Sequence, residues 1–146
     1  MTISKIEQVR EMESFDGIKS IALSNECTDP DIGSVLPNEF QSYDLENIFV
    51  DANNPLFCDI NGVLFNKQQT VLICYPRRRK EAKYVIHEGV LEIGTDAFDC
   101  AAPTYGEDDG LIHVVLPDSL KIINENAFWM CSGLVPNLFY PYILSY

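Results

Sequence analysis

The chain carries one stretch twice. Tyr84-Val-Ile-His-Glu-Gly-Val-Leu-Glu-Ile-Gly-Thr-Asp-Ala-Phe98 is answered, 30 residues on, by Val114-Val-Leu-Pro-Asp-Ser-Leu-Lys-Ile-Ile-Asn-Glu-Asn-Ala-Phe128, with the apolar positions in step. A unit this short cannot bury its apolar face alone. Self-similarity at this period therefore predicts stacked repeats that share a core.

The repeating unit reads Leu-x-x-Leu-x-Leu-x-x-Asn/Cys-x-Leu, whose alternate strand residues point into that core. Leu45-x-x-Ile48-x-Val50-x-x-Asn53 fits it, and Leu111-x-x-Val114-x-Leu116-x-x-Ser119-Leu120 fits with serine at the polar position. Ile18-x-x-Ile21-x-Leu23 fits the first half and Tyr84-x-Ile86-x-x-Gly89-Val90 the second. The inward pairs 21/23, 48/50, 84/86 and 114/116 are spaced by 27, 36 and 30 residues, and their shared register predicts one parallel sheet. Asn53 is expected to use its amide to satisfy backbone groups where the chain leaves its strand.

The long spacing has a local cause. Asn61-Gly62 signals a turn, followed by Val63-Leu64-Phe65, the polar Asn66-Lys67-Gln68-Gln69 and the β-rich Thr70-Val71-Leu72-Ile73-Cys74-Tyr75, stopped by Pro76. A β-hairpin over 63–75 is expected, with Val63, Phe65, Val71 and Ile73 alternating against Leu64, Leu72 and Cys74. One set should face inward and the other should be partly exposed. The acidic loop 103–110 is a surface insertion. Its adjacent acids lack the spacing of calcium ligands.

Gly94-Thr-Asp-Ala-Phe98 and Asn124-Glu-Asn-Ala-Phe128 read as short helical turns dropping a Phe inward, with Phe15 and Phe40 in equivalent places. Ile3, Ile6, Val9, Met12 and Phe15 lie at near-helical spacing, which predicts an N-terminal helical cap within residues 1–17. Repeats with the hairpin occupy 18–133. Residues 134–146 form an aromatic, apolar tail that either folds over the last repeat or meets another chain. The expected whole is one domain, 1–146, an α/β repeat solenoid: one parallel sheet face, short helical turns opposite, and the inserted hairpin.

A net charge of −12, from 22 acidic and 10 basic residues, repels phosphate backbones and argues against nucleic acid as a partner. The basic run Arg77, Arg78, Arg79, Lys80 with Lys83 reads as a solvated loop. Five scattered cysteines without a Cys-x-x-Cys pair read as free thiols, which fits a reducing compartment. The N-terminus lacks the apolar run of a secretory signal, so the sequence by itself reads as cytoplasmic, and no stretch is long enough to span a bilayer.

Catalytic chemistry finds little support. His87 and His113, the chain's two histidines, are expected on an exposed strand face or rim without a ligand partner nearby, so no metal site is expected. A spatially assembled Cys-His pair stays open, although Cys131 falls at an inward position. No glycine-rich phosphate loop is present, no cofactor is implied, and Asp108-Asp109 sit in a loop that would not hold an acid/base separation.

The combined pattern resembles the BspA-type leucine-rich-repeat family. The resemblance runs from Asn53-Asn54-Pro55 through Asn61-Gly62-Val63-Leu64-Phe65-Asn66-Lys67 and Thr70 to Pro76. It continues with Gly89-Val90-x-x-Ile93-Gly94-x-x-Ala97-Phe98, Leu116-Pro117-x-Ser119-Leu120-Lys121-x-Ile123 and Ala127-Phe128-x-x-Cys131. It covers 45 to 133 strongly and 13 to 44 loosely. It implies a curved solenoid, and relatives that are often secreted or cell-surface proteins with roles in adhesion and protein binding. The function expected is a non-enzymatic module that binds a protein partner through its strand face and the tail residues Phe139, Tyr140, Tyr142 and Ile143. The alternative is a structural unit that forms a homo-oligomer through the same tail, with a hydrolase a distant third.

Overall fold

The structure is a computed structural model that describes residues 1–14, 16–39, 44–99, 101 and 110–135, with the backbone alone for 37–39. Phe15, Phe40, Cys100, Asp108-Asp109 and the tail residues Phe139, Tyr140, Tyr142 and Ile143 lie outside the described residues. The fold is rich in sheet, with parallel pairings and few helices. Its elements are β1 (Thr2–Ile3), α1 (Ile6–Arg10), β2 (Ser20–Leu23), α2 (Ile32–Glu39), β3 (Asn47–Val50), β4 (Phe57–Ile60), β5 (Val63–Asn66), β6 (Val71–Cys74), β7 (Lys83–Val85), β8 (Glu92–Ile93), β9 (His113–Val115) and β10 (Ile122–Ile123).

The strands group into three sheets: β1-β2-β3, β7-β9, and β10-β8-β6-β5-β4. The expected parallel pairings hold within each half. Ile21 lies opposite Ile48 and Tyr84 opposite Val114. The single continuous sheet does not hold, because other groups occupy the edge of β3. Ile48 N–H donates to Gly62 O at 2.9 Å, Val50 N–H to an Asp59 carboxylate oxygen at 2.8 Å, and Leu45 O accepts from Arg78 N–H at 2.9 Å. Backbone groups satisfied in this way leave β7 nothing to pair with on that edge.

The hairpin is present, but as part of a three-stranded meander. β4 pairs antiparallel with β5 through the two-residue turn Asn61-Gly62, both at positive φ, as a hairpin turn of matching twist requires. β5 pairs antiparallel with β6, and the register shifts between Leu64 and Phe65. The expected alternation holds on β6, where Leu72 and Cys74 are buried and Val71 and Ile73 half-buried, and fails on β5. Val63, Leu64 and Phe65 are all fully buried, because β5 lies between two cores. Leu64 and Cys74 join a first core with Ile3, Ile21, Ile48 and Leu36, whereas Val63, Phe65 and Leu72 join a second with Ile86, Val90, Ile93 and Phe98.

The N-terminal cap is also more than a helix. Thr2–Ile3 form a strand parallel to β2, and the helix is confined to Ile6–Arg10, where Ile6 and Val9 are buried. Gln8 stops the helix from starting earlier: its side-chain oxygen accepts from the Ser4 and Lys5 N–H groups at 2.7 and 2.9 Å.

β6 begins the second half. It pairs in parallel with β8, and β8 with β10, so Leu72, Ile93 and Ile123 form one ladder. Beside it runs a column of rings. Tyr75 stacks on Phe98 at 4.9 Å and 22°, and Phe98 on Phe128 at 4.9 Å and 16°. The backbone repeats with the rings: Tyr75 N–H donates to Ala97 O and Phe98 N–H to Ala127 O. Phe98 and Phe128, expected as inward residues of equivalent turns, stack on each other, with Tyr75 as an additional first member.

Candidate functional site: the junction of the two cores and the outward strand positions

The amide that holds a strand exit together belongs to Asn54, not Asn53. Asn53 is exposed, whereas Asn54 is fully buried. Its Nδ2 donates to Ser24 O at 2.8 Å and Cys27 O at 2.9 Å, and its Oδ1 accepts from Leu56 and Phe57 N–H, both at 2.9 Å. The turn that carries Asn54 N–H to Asp51 O adds the residue by which the motif misses. In the later repeats Ser119 plays a lighter version of this part. Its hydroxyl accepts from Gly89 N–H and donates to Val90 O, tying one repeat to the next.

The basic run is not a solvated loop at Arg77 and Arg79. Arg77 pairs with Asp99 at 3.0 Å, and both side chains are about nine-tenths buried. Arg79 pairs with Glu81 through Nε at 2.8 Å, and donates from a terminal nitrogen to Asn61 O at 2.7 Å and Asn47 Oδ1 at 3.2 Å. Its guanidinium lies over the Tyr75 ring, 5.6 Å from the centroid, while Tyr75 OH donates to the same Glu81 carboxylate. One planar, multiply donating group thus joins β3, the β4–β5 turn and the ring column, a task suited to Arg rather than Lys. An Ala at Gly62 would put its Cβ 2.5 Å from Asn47 Oδ1, so the turn glycine also makes room for this junction.

A narrow crevice at the junction is lined by Leu36, Leu45, Cys74 and Arg77. Burial pushes the Cys74 thiol up to about 12, with Arg77 pulling the other way and Asp99 adding to the rise, which favours the protonated thiol at neutral pH. Burial likewise raises Cys27 and Cys58. His87 is half-buried, with its ring 5.3 Å from Phe65, and His113 is half-buried on β9. Cys131, expected at an inward position, is half-buried, and its thiol donates to Phe98 O. Among the described residues no group of His, Cys, Asp and Glu can hold a metal ion, and no helix is long and apolar enough to cross a membrane.

These buried groups give the fold an alkaline limit. Burial also pushes Tyr84 up to about 12, with Arg79 opposing and Glu81 reinforcing. Cys74 and Tyr84 keep their protons in the folded state at pH values where the unfolded chain, with ordinary values of 9.0 and 10.0, has lost them. Their contribution to stability is therefore fully present below pH 9.0 and is lost as the pH rises toward about 12. The urea midpoint should be level through neutral pH and fall steadily above 9; a level profile to pH 11 would contradict the burial of both groups.

The outward strand positions are the other candidate. Val85 and Val115 lie directly opposite each other on β7 and β9 and are 57% and 40% exposed, and Phe49 at the outward position of β3 is 47% exposed. Their inward neighbours Ile48 and Ile86 are buried. Sheet alternation thus places an apolar pair, flanked by Lys83 and His113, in water.

No family model matches this chain, and no curated protein does. Solved structures do. A leucine-rich repeat protein from Eubacterium ventriosum is similar at 20% identity and a TM-score of 0.65, over 80% of this chain and 34% of that one. The pneumococcal vaccine antigen PcpA is similar at 24% identity and a TM-score of 0.57, over 82% and 32% of the two chains. A leucine-rich cell surface protein from Faecalibacterium prausnitzii is similar at 23% identity and a TM-score of 0.52, over 80% and 34%. This chain spans about a third of the length of each. The likenesses show a leucine-rich-repeat fold and, at that level, bear out the resemblance carried by the motifs.

Proposed function

We propose that this chain is a non-enzymatic protein-interaction module, a short repeat solenoid that presents the outward positions of its parallel strands to a protein partner. The observation that carries this reading is the in-register pair Val85 and Val115, apolar and exposed on adjacent strands, with Phe49 at the matching outward position of β3. Strand alternation requires only that these positions face out; it does not require them to be apolar, and apolar residues there favour a surface that is covered in use. A net charge of −12 suits a partner with a basic rim, whose association slows as salt rises. The similar structures include one described as a cell surface protein, so display and adhesion at a surface are the setting this reading favours. The tail residues Phe139, Tyr140, Tyr142 and Ile143, which lie outside the described residues, are included in the proposed contact on their aromatic, apolar composition.

The double substitution V85D/V115D tests it. Both sites are exposed, so the fold should survive with a change within about 0.5 kcal/mol per site. A partner recovered from the native environment by the wild-type chain should bind the variant at least about tenfold more weakly. Equal binding by a folded variant would overturn the assignment of the strand face.

A further inference from the structure

We propose that Asn61 is a site of spontaneous deamidation, converting to aspartate and isoaspartate at a rate set by a charged clamp on the peptide unit it shares with Gly62. The sequence supplies the first condition. Asn61-Gly62 is the chain's single Asn-Gly pair, and a glycine puts no side chain in the way as its nitrogen turns on the asparagine amide. The structure supplies the second. Asn61 is exposed at the tip of the β4–β5 turn, and among the described residues nothing holds its side-chain amide. Asn54, Asn66 and Asn124, by contrast, have bonded amides. Asn126 is exposed at nearly the same positive φ, 56° against 51°, but precedes Ala127, which makes it the internal comparator.

The chemistry needs no partner beyond water. Gly62 N gives its proton to solvent and bonds to Asn61 Cγ, the Cγ–Nδ2 bond breaks, and the amide nitrogen leaves as ammonia. The cyclic imide that results takes up one water at either of its carbonyls. Opening at Cγ restores the ordinary backbone, with aspartate in place of asparagine. Opening at the α-carbonyl sends the backbone through Cβ and Cγ and makes isoaspartate, a chain longer by one carbon.

Attack requires the Asn61–Gly62 peptide unit to rotate, and both of its polar atoms are held by charged groups. Arg79 donates from a terminal nitrogen to Asn61 O at 2.7 Å, and Gly62 N–H donates to Asp59 Oδ2 at 3.2 Å. Gly62 O is tied as well, accepting from Ile48 N–H on β3 at 2.9 Å. Bonds to charged partners are stronger than neutral ones, so conversion proceeds through a rarely opened turn. The consequence follows from the same contacts. A two-residue turn with both residues at positive φ has no place for an extra backbone carbon, so isoaspartate at 61 draws Gly62 O away from Ile48 N–H. That bond occupies the edge of β3, beside the boundary of the two cores, and its loss loosens the junction there.

Incubating the full chain at physiological temperature and pH, then mapping peptides by a method that separates aspartate from isoaspartate, reads the site directly. In the folded wild-type chain Asn61 should convert well ahead of Asn126, and unfolding in urea should speed Asn61 by at least about tenfold because the clamp is gone. Arg79→Lys keeps the charge but loses the planar fork. It should speed conversion in the folded chain up to about tenfold, the effect on the opening equilibrium of one hydrogen bond to a charged group. Hydrogen exchange should show the Ile48 amide protected in the unmodified chain and released in the isoaspartate fraction. An Asn61 left intact in the folded chain, over a period many times longer than the urea-held chain needs, overturns the site. Equal rates in the folded chain and in urea, or in wild type and a folded Arg79→Lys chain, overturn the clamp. Unchanged protection of Ile48 in the isoaspartate fraction overturns the loosened junction.

Discussion

Replacing Asn54 by Leu should be among the most damaging single changes in this chain, at about 4 kcal/mol. The side chain is fully buried and closes four hydrogen bonds, two donated to Ser24 O and Cys27 O and two accepted from Leu56 and Phe57 N–H. Leucine has the same branching and the same number of side-chain heavy atoms, so the change removes these bonds without opening a cavity. A neutral bond lost between two side chains would cost about 1 kcal/mol, but here four backbone groups are left behind in a place water does not reach. Asn54→Asp separates the two sides of the amide: the carboxylate can still accept from Leu56 and Phe57, but it opposes Ser24 O and Cys27 O with charge. Asn53→Ala should change stability by less than about 0.5 kcal/mol, since that residue is exposed. Urea unfolding of the three variants checks the assignment, and equal losses at 53 and 54 would refute it.

The contrast between these neighbours shows how far the sequence could be read. The motif located a buried asparagine at this turn, yet a pattern of fixed spacing cannot see an extra residue accommodated by Asn54 N–H bonding back to Asp51 O. Asn61-Gly62 was legible as a turn from local preference alone, although the β4–β5 hairpin it closes was not expected. The hairpin over 63–75 was legible from two β-rich runs flanking the polar Asn66-Lys67-Gln68-Gln69 turn. Its burial was not, because alternation assumes one wet face, whereas β5 separates two cores and buries both. Division of the parallel strands into two sheets was hidden for a related reason. It depends on which groups reach the edge of β3, and these come from Gly62, Asp59 and Arg78, remote in sequence from the strand itself.

The arginines were misread in the same way. A run of basic residues after a proline has the composition of a solvated loop, and Lys80 in it is exposed. What draws Arg77 and Arg79 inward is Asp99, Glu81 and the Asn61 carbonyl, and only the fold brings these together. Of the candidate surfaces, the outward positions Val85 and Val115 follow from repeat register alone, so the strand face was readable at the resolution of single residues. Tyr75 was not read as a member of the ring column. It lies in the hairpin, outside the 30-residue repeat, and shares its place with Phe98 only through the matching bonds to Ala97 and Ala127.

That column sets the second large effect. Phe98→Ala should cost about 4 kcal/mol, the lost transfer energy of the ring together with the cavity it leaves. Phe98 is fully buried, stacked on Tyr75 on one side and Phe128 on the other, so its removal opens a gap between two rings. Phe128 has one stacked neighbour among the described residues and is half-buried, so Phe128→Ala should cost less, about 2 kcal/mol. Thermal melts of both variants measure the column. Melting of Phe98→Ala within a degree of wild type would remove the column from the core.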